Sequence, residues 1–342
     1  MSRLILTLCT FLLLLLNTGC EKELLSHETP NSPEQNFEVL WQEFDRMYGT
    51  FAVKRIDWQA LYNQYRPQVT PTTTDGELFT IMTQLLEPLD DNHIYLRAPR
   101  KAGLPDYSGG ILGRKQQNDY ESNVLDHYLQ TKHKYGEAFT WGWLSDGTGY
   151  IHIHDFSYDY AYYPKAMDHI LGALKEADAI VVDVRENWGG EDRVSQYIAN
   201  RFASSTSLSF TSRLRNGPGH NDFGPELRFY TRPEGTFQYT KPVMLLTRRA
   251  TFSSGETFVL AMRQNPNITV VGDTTGGAFS DAIRRELPNG WMYRLPIADV
   301  RAADGKNYES IGLAPDVWVK NTREELEAGQ DKTLEQALAL LE

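Results

Sequence analysis

Cysteine is almost missing from this chain: its 342 residues include two, Cys9 and Cys20. Cys9 sits in an apolar N-terminal run, so removal of that run as a leader leaves one thiol and no intrachain disulfide. Positive charge is scarce as well, with 34 Lys and Arg against 45 Asp and Glu and a formal net charge of −11. That balance, without a basic tract, argues against nucleic acid or an anionic membrane surface as a partner. Several catalytic signatures are lacking. No HExxH occurs and no third ligand is spaced to join His152 and His154, so neither a metal nor another cofactor is expected. The G-x-G-x-x-G dinucleotide spacing and the G-x-S-x-G elbow are absent too.

The apolar run at residues 4–16 falls short of the roughly 20 residues of a spanning helix and lies where an export signal lies. It ends in Leu16-Asn17-Thr18-Gly19-Cys20. This resembles a bacterial lipoprotein signal, in which the cysteine becomes the lipidated first residue, although Asn17 replaces the usual aliphatic residue. The resemblance implies removal of residues 1–19 and a lipid anchor on Cys20 holding an exported protein to the cell envelope. The acidic start Glu21-Lys22-Glu23 adds an expectation of the outer membrane.

Residues 20–33 read as a polar tether and 34–97 as a helical subdomain. Phe37, Leu40, Trp41, Phe44, Met47 and Tyr48 fall on one helical face, and Trp58, Leu61, Tyr62 and Tyr65 on a second that Pro67 stops. A third helix opens at Thr74 and runs to Pro88. It delivers Asp91-Asn92-His93 to a helix-to-strand junction, where a side chain can be held and still reach a cleft. Among eight histidines, one alone reads as an ordinary surface or core residue. Residues 98–138 form a connector with no assigned role, with an amphipathic helix expected around Val124 to Tyr128. From residue 139 strands and helices alternate to 342, interrupted at 204–240 by a Gly- and Pro-rich stretch that reads as an irregular lid or substrate wall.

Two stretches in that last part bear on chemistry. A buried-type strand ends in Asp183-Val-Arg-Glu-Asn-Trp-Gly-Gly190 and leads into a helix, an arrangement that lets backbone amides approach a ligand. A second strand ends in Ser253-Ser254-Gly255-Glu256 at a helix start. There a serine is ordinarily an N-cap with Glu256 as first-turn charge, but it can also be a nucleophile beside free amides.

These stretches, followed by Val271-Gly-Asp-Thr-Thr-Gly-Gly277 and Glu309-Ser-Ile-Gly-Leu-Ala-Pro-Asp316, stand in the order found in the tail-specific, or C-terminal processing, serine peptidases. The resemblance covers residues 139–319, with His93 matching the upstream part. It implies an α/β, crotonase-like core of strand-strand-helix units behind an N-terminal helical subdomain. The stretch between His93 and Phe139 is too short for a whole PDZ domain. It also implies Ser253 as nucleophile, with Ser254 and the Gly189-Gly190 turn as oxyanion donors. In the Ser-Lys members a lysine follows the Gly-x-x-Thr-x-Gly motif; here that place is Ala278. The tricorn-like branch uses instead a histidine from an Asp-x-His segment and a glutamate before Gly-x-x-Pro-Asp, which implies His93 as base and Glu309 as its partner. Asn92 stands where that branch has a supporting serine. The implied activity is hydrolysis of peptides or unfolded protein tails through an acyl-enzyme. The alternatives are a peptide-binding or scaffold lipoprotein that has lost turnover, and an esterase using the same nucleophile.

Overall fold

The computed structural model describes residues 31–342 except 115–117 and 145–146. Residues 1–19 and Cys20 therefore lie outside the described residues. No helix among those described is long and apolar enough to cross a membrane.

Four helices open the structure: α1 (Pro33–Met47), α2 (Phe51–Lys54), α3 (Trp58–Tyr65) and α4 (Asp75–Leu86). Ser32 caps α1, and Thr74 with Glu77 closes a capping box on α4, so two ends are set by local sequence. Their apolar faces do not close on themselves. Phe37, Phe44, Trp58 and Leu85 share one core with Leu287, Trp291, Tyr293 and Leu295, from some 200 residues downstream. The bridge is a four-stranded sheet in the order β11-β12-β1-β2 (Ala282–Glu286, Met292–Pro296, Tyr95–Arg97, Tyr107–Ser108). Each fully buried Phe or Leu there contributes about 1.5–3 kcal/mol, so strands of the second half supply part of the burial that stabilises the helical unit.

The second half is built on a seven-stranded sheet, order β14-β10-β9-β6-β5-β4-β3. It is parallel from β14 (Val317–Trp318) through β10 (Ile268–Gly272), β9 (Val243–Thr247) and β6 (Ala179–Asp183) to β5 (Thr148–Ile153). From β5 it continues antiparallel through β4 (Phe139–Leu144) to β3 (Leu129–Tyr135). β6 and β9 are buried at every residue, because helices cover both faces and a parallel strand between helices must be apolar throughout. On one face pack α6 (Tyr162–Ala173), α7 (Asp192–Asn200) and α8 (Ser254–Met262); on the other, Leu334 and Ala337 of α10 (Lys332–Ala339) meet Val181, Met244 and Val271. The remaining helices are α5 (Gly110–Arg114) and α9 (Arg323–Glu327).

Two local expectations are corrected. The stretch 204–240 is not irregular throughout: it carries β7 (Ser207–Leu214) and β8 (Leu227–Thr231), which join β13 (Ala298–Ala302) in a three-stranded sheet. Its strands alternate polar and apolar residues over a half-exposed face, and the flanking Gly and Pro concealed that alternation. Near Val124 the chain forms a single 3-10 turn, Val124–His127, in place of an amphipathic helix.

Candidate active site

The carboxyl ends of β6 and β9 lie side by side, and the loops leaving them carry the Gly189-Gly190 turn, Ser253 and Ser254, while His93 comes from the segment just before β1 and Glu309 from the loop after β13. Ser253 precedes α8 with φ 57° and ψ −125°, a left-handed backbone that costs a residue with a Cβ on the order of 1–3 kcal/mol. Its side chain makes no capping hydrogen bond, so the N-cap reading fails. Instead Ser253 Oγ lies 3.2 Å from Nε2 of His93. The carbonyl of Ser253 accepts from Glu256 N–H at 2.7 Å and Thr257 N–H at 3.3 Å, and these bonds hold the strained turn. An elbow thus forms without the G-x-S-x-G spacing. Among the described residues the four non-glycine residues of positive φ are Arg55, Asp90, Ser253 and Ser310, and three of them are, or adjoin, members of the cluster.

His93 is 1% exposed and rests against the Phe252 ring at 4.6 Å. Burial, together with Arg294 and Lys54, pushes its imidazole down to about 3, against the pull of Asp91, so the ring is neutral near pH 7. Its Nδ1 is buried without a hydrogen-bond partner among the described residues, and so is Oε1 of Glu309. His93, Glu309 and Asp91 each bring one donor atom within 4.8 Å of the others. Glu309 Oε2 accepts the N–H groups of Phe279 at 2.9 Å and Ser280 at 3.2 Å. Burial and the charge of Asp91 push the Glu309 carboxyl well above the carboxylate range, against Lys54 and the Phe279 N–H. Asp91 accepts from its own turn's His93 N–H at 2.9 Å and from the Tyr48 hydroxyl at 2.8 Å, with Lys54 Nζ at 3.5 Å. Burial opposes its ionisation, but Lys54, His93 and these donors hold it below the usual range. Both Asp91 oxygens are thus engaged, and the ion pair at this cluster is the one between Asp91 and Lys54.

The 183–190 turn faces Ser253 from β6. Asn187 fixes it: its Nδ2 donates to the Ile153 carbonyl at 3.0 Å, its Oδ1 accepts Gly189 N–H at 2.9 Å, and its carbonyl accepts Phe252 N–H at 3.0 Å. Gly189 N–H is thereby committed. Gly190 N–H and Ser254 N–H have no acceptor among the described residues, and the Ser254 hydroxyl donates to the Gly190 carbonyl at 2.9 Å, tying the two strands' loops together. A Cβ on Gly189 would stand 2.7 Å from Ser253 Cβ, so only glycine lets the turn come this close.

Comparison with known proteins gives this arrangement a family. Residues 147–319 match peptidase family S41, and residues 29–87 match the tricorn protease C1 domain. The chain belongs to peptidase family S41. A candidate peptidase from Parabacteroides merdae ATCC 43184, solved by crystallography, is 31% identical, with a TM-score of 0.81 over 91% of this chain and 97% of that one. The carboxy-terminal processing protease CtpA of Bacillus subtilis is 25% identical over 143 residues, 42% of this chain and 29% of its own. The carboxyl-terminal-processing protease of Synechocystis is 26% identical over 174 residues, 50% of this chain and 38% of its own. The matched stretches thus cover about a third of those curated relatives. The photosystem II D1 C-terminal processing protease shares the fold, with a TM-score of 0.55 at 15% identity. The overall fold is accordingly the mixed α/β fold of S41 peptidases, with an N-terminal helical region and no PDZ domain evident among the described residues.

Within the S41 core, Glu256 plays a part that the sequence did not reveal. It is not exposed first-turn charge but fully buried, accepting Thr275 Oγ1–H at 2.6 Å and the N–H groups of Gly277 and Ala278 at 2.7 Å each. Burial pushes its carboxyl up to about 7 against these donors. It fixes the 275–278 loop to α8, and Ala278, where a Ser-Lys enzyme has its base, contributes only its N–H. Asn92 touches neither His93 nor Ser253 by hydrogen bond. Its Nδ2 donates to the Gly276 carbonyl at 2.8 Å and its Oδ1 accepts Leu112 N–H at 2.9 Å, so it joins two loops. His152 and His154 lie with ring centroids 4.0 Å apart, His154 bonded to Thr140, and belong to no three-donor cluster among the described residues. Asp183 anchors the turn through Arg185, whose guanidinium also holds Asp331 at two distances of 2.8 Å. Trp188, 58% exposed, overhangs Phe252 at the site's open side.

Proposed function

We propose that this chain is a serine peptidase that cleaves peptides or unfolded protein tails through an acyl-enzyme on Ser253. The observation that carries the reading is the 3.2 Å approach of Ser253 Oγ to His93 Nε2, made by a strained serine with no cap to serve. His93, neutral near pH 7, takes the Ser253 proton as the oxygen attacks the scissile carbonyl, then returns it to the leaving amine. Glu309, as a carboxylate, accepts the Nδ1–H of His93 and offsets the charge of the imidazolium. The unpaired states of Nδ1 and Oε1 suit a bond that tightens when substrate excludes water. Ser254 N–H and Gly190 N–H are the donors placed to receive the oxyanion, each worth on the order of 3–4 kcal/mol in the transition state. A histidine and glutamate in place of a lysine put the chain on the tricorn-like side of the family. Its place in the cell is proposed from the leader alone: exported and lipid-anchored at Cys20.

A fluorophosphonate probe tests the centre of this reading. Labelling of the wild-type chain that disappears in Ser253→Ala, with the melting curve unmoved, is the expected result. A wild-type chain that stays unlabelled points to the peptide-binding alternative and removes the enzyme.

A further inference from the structure

The charge around Glu309 does not balance with the catalytic groups alone. Two buried carboxyls, Asp91 and Glu309, stand within 4.8 Å of each other and of His93, and one ammonium serves both. Lys54, at the end of α2, is almost fully covered: its Nζ donates to the Leu89 carbonyl at 2.6 Å and the Asp90 carbonyl at 3.2 Å and pairs with Asp91 at 3.5 Å. Tyr48, after α1, donates to the other side of the same carboxylate. From β12, Arg294 adds positive charge toward His93 and Asp91. From α8, the Glu256 carboxyl adds negative charge toward Glu309. None of Lys54, Tyr48, Asp91 or His93 lies in the 147–319 stretch that matches the peptidase family.

We propose that the buried Lys54–Asp91 pair is a positioning device that sets the protonation of Glu309, and through it the tautomer of His93, its two members acting in opposite directions. The proposal rests on Ser253, His93 and Glu309 forming the reacting centre. Phe279 and Ser280 N–H groups occupy Oε2 of Glu309, so a proton on this carboxyl sits on Oε1, the atom without a partner. In that state the Oε1–H donates to Nδ1 and the imidazole hydrogen is on Nε2, facing Ser253 Oγ. Such a ring has no lone pair for the serine proton. When the pair loses one proton to solvent, the hydrogen leaves Nε2 and the Oε1 proton passes across the hydrogen bond to Nδ1, where the carboxylate holds it, so that Nε2 becomes a base. Lys54 favours the carboxylate by its positive charge, and Asp91 opposes it by repulsion across a low-dielectric space. Asp91 has a second task, since it fixes the backbone of His93. It therefore cannot be discarded, and Lys54 offsets its electrostatic cost.

The test is the rate at which a fluorophosphonate labels Ser253 in the full chain, followed from about pH 4 to pH 9. The acid limb should move up by about one pH unit in Lys54→Met, where the ammonium is lost, and down by about one unit in Asp91→Asn, where the repulsion is lost. Lys54→Arg, which keeps the charge, should restore the wild-type limb. A purely structural pair would give slower labelling in both variants with the limb unmoved. That outcome, or shifts of the same sign, overturns the proposal, as does a Lys54→Arg limb displaced like that of Lys54→Met. Lys54→Gln and Asp91→Ser replace any variant that does not melt cooperatively. Failure of the underlying reading looks different: the wild-type chain is not labelled at any pH, or Ser253→Ala is labelled equally with it.

Discussion

Replacing Gly189 with alanine tests the packing of the turn against the nucleophile. The added methyl would sit 2.7 Å from Ser253 Cβ, 3.0 Å from the Phe252 carbonyl oxygen and 3.0 Å from Ser254 N. Carbon atoms rest at about 3.5–4.0 Å, so Ser253 and the turn must separate by roughly 0.8 Å or more. Overpacking of this size costs about 1–3 kcal/mol. The φ of 92° at this position adds about 1 kcal/mol for a residue with a Cβ, for a total loss of roughly 2–4 kcal/mol in unfolding free energy. The functional loss should be larger in proportion, because a 1 Å displacement of a reacting group costs about a hundredfold in rate. The methyl also crowds Ser254 N–H, a proposed oxyanion donor. Denaturant unfolding gives the first number, and the second-order rate of fluorophosphonate labelling gives the second. A Gly189→Ala chain that unfolds like wild type and is labelled within about twofold of it would refute the close approach of this turn.

Two more perturbations have defined outcomes. Glu256 is raised from 4.5 to about 7 by burial, so its contribution to stability is complete below about pH 4.5 and is lost as pH rises through 7. Unfolding measured at about pH 5 and pH 8 should therefore show a loss of about 2.5 kcal/mol; a flat or rising profile between those values would contradict a buried protonated Glu256. Asp331→Ala removes half of the carboxylate pairing of Arg185 and the cap of α10, and should cost about 3–5 kcal/mol by thermal or denaturant unfolding. An unchanged midpoint would show that Asp183 alone satisfies that guanidinium.

Part of this protein is legible in its residue order because Ser253, Ser254 and the Gly189-Gly190 turn lie in loops that leave buried strands. The runs at β6 and β9 are buried throughout and apolar up to their last residues, Asp183 and Thr247, after which the turns carry small and polar residues. The turn after each strand and the helix it enters are local in sequence. Ala278 is equally legible, since a lone methyl cannot act as a base. The strands of 207–231 were hidden, because alternation over a half-exposed face looks like loop composition when glycine and proline flank it. The reach of the helical unit's core was hidden as well, since its partners, Leu287 to Leu295 by core membership, are about 200 residues away.

Four motifs in their order, through their resemblance to the tail-specific peptidases, pointed to Ser253, His93 and Glu309 as candidates, and residue 278 offered no lysine beside the serine. Only the tertiary structure brings these side chains together. The positive φ of Ser253 is held by bonds to the next turn of helix, and the choice between Gly189 and Gly190 falls to the side chain of Asn187, which consumes one of the two N–H groups. The charge state of Glu309 depends on Lys54 and Asp91, brought to it from another part of the chain. Sequence spacing cannot encode such a balance, because the energy between buried charges is set by distance and by the water excluded between them, and both come into being only when the two halves of the chain close on a common core.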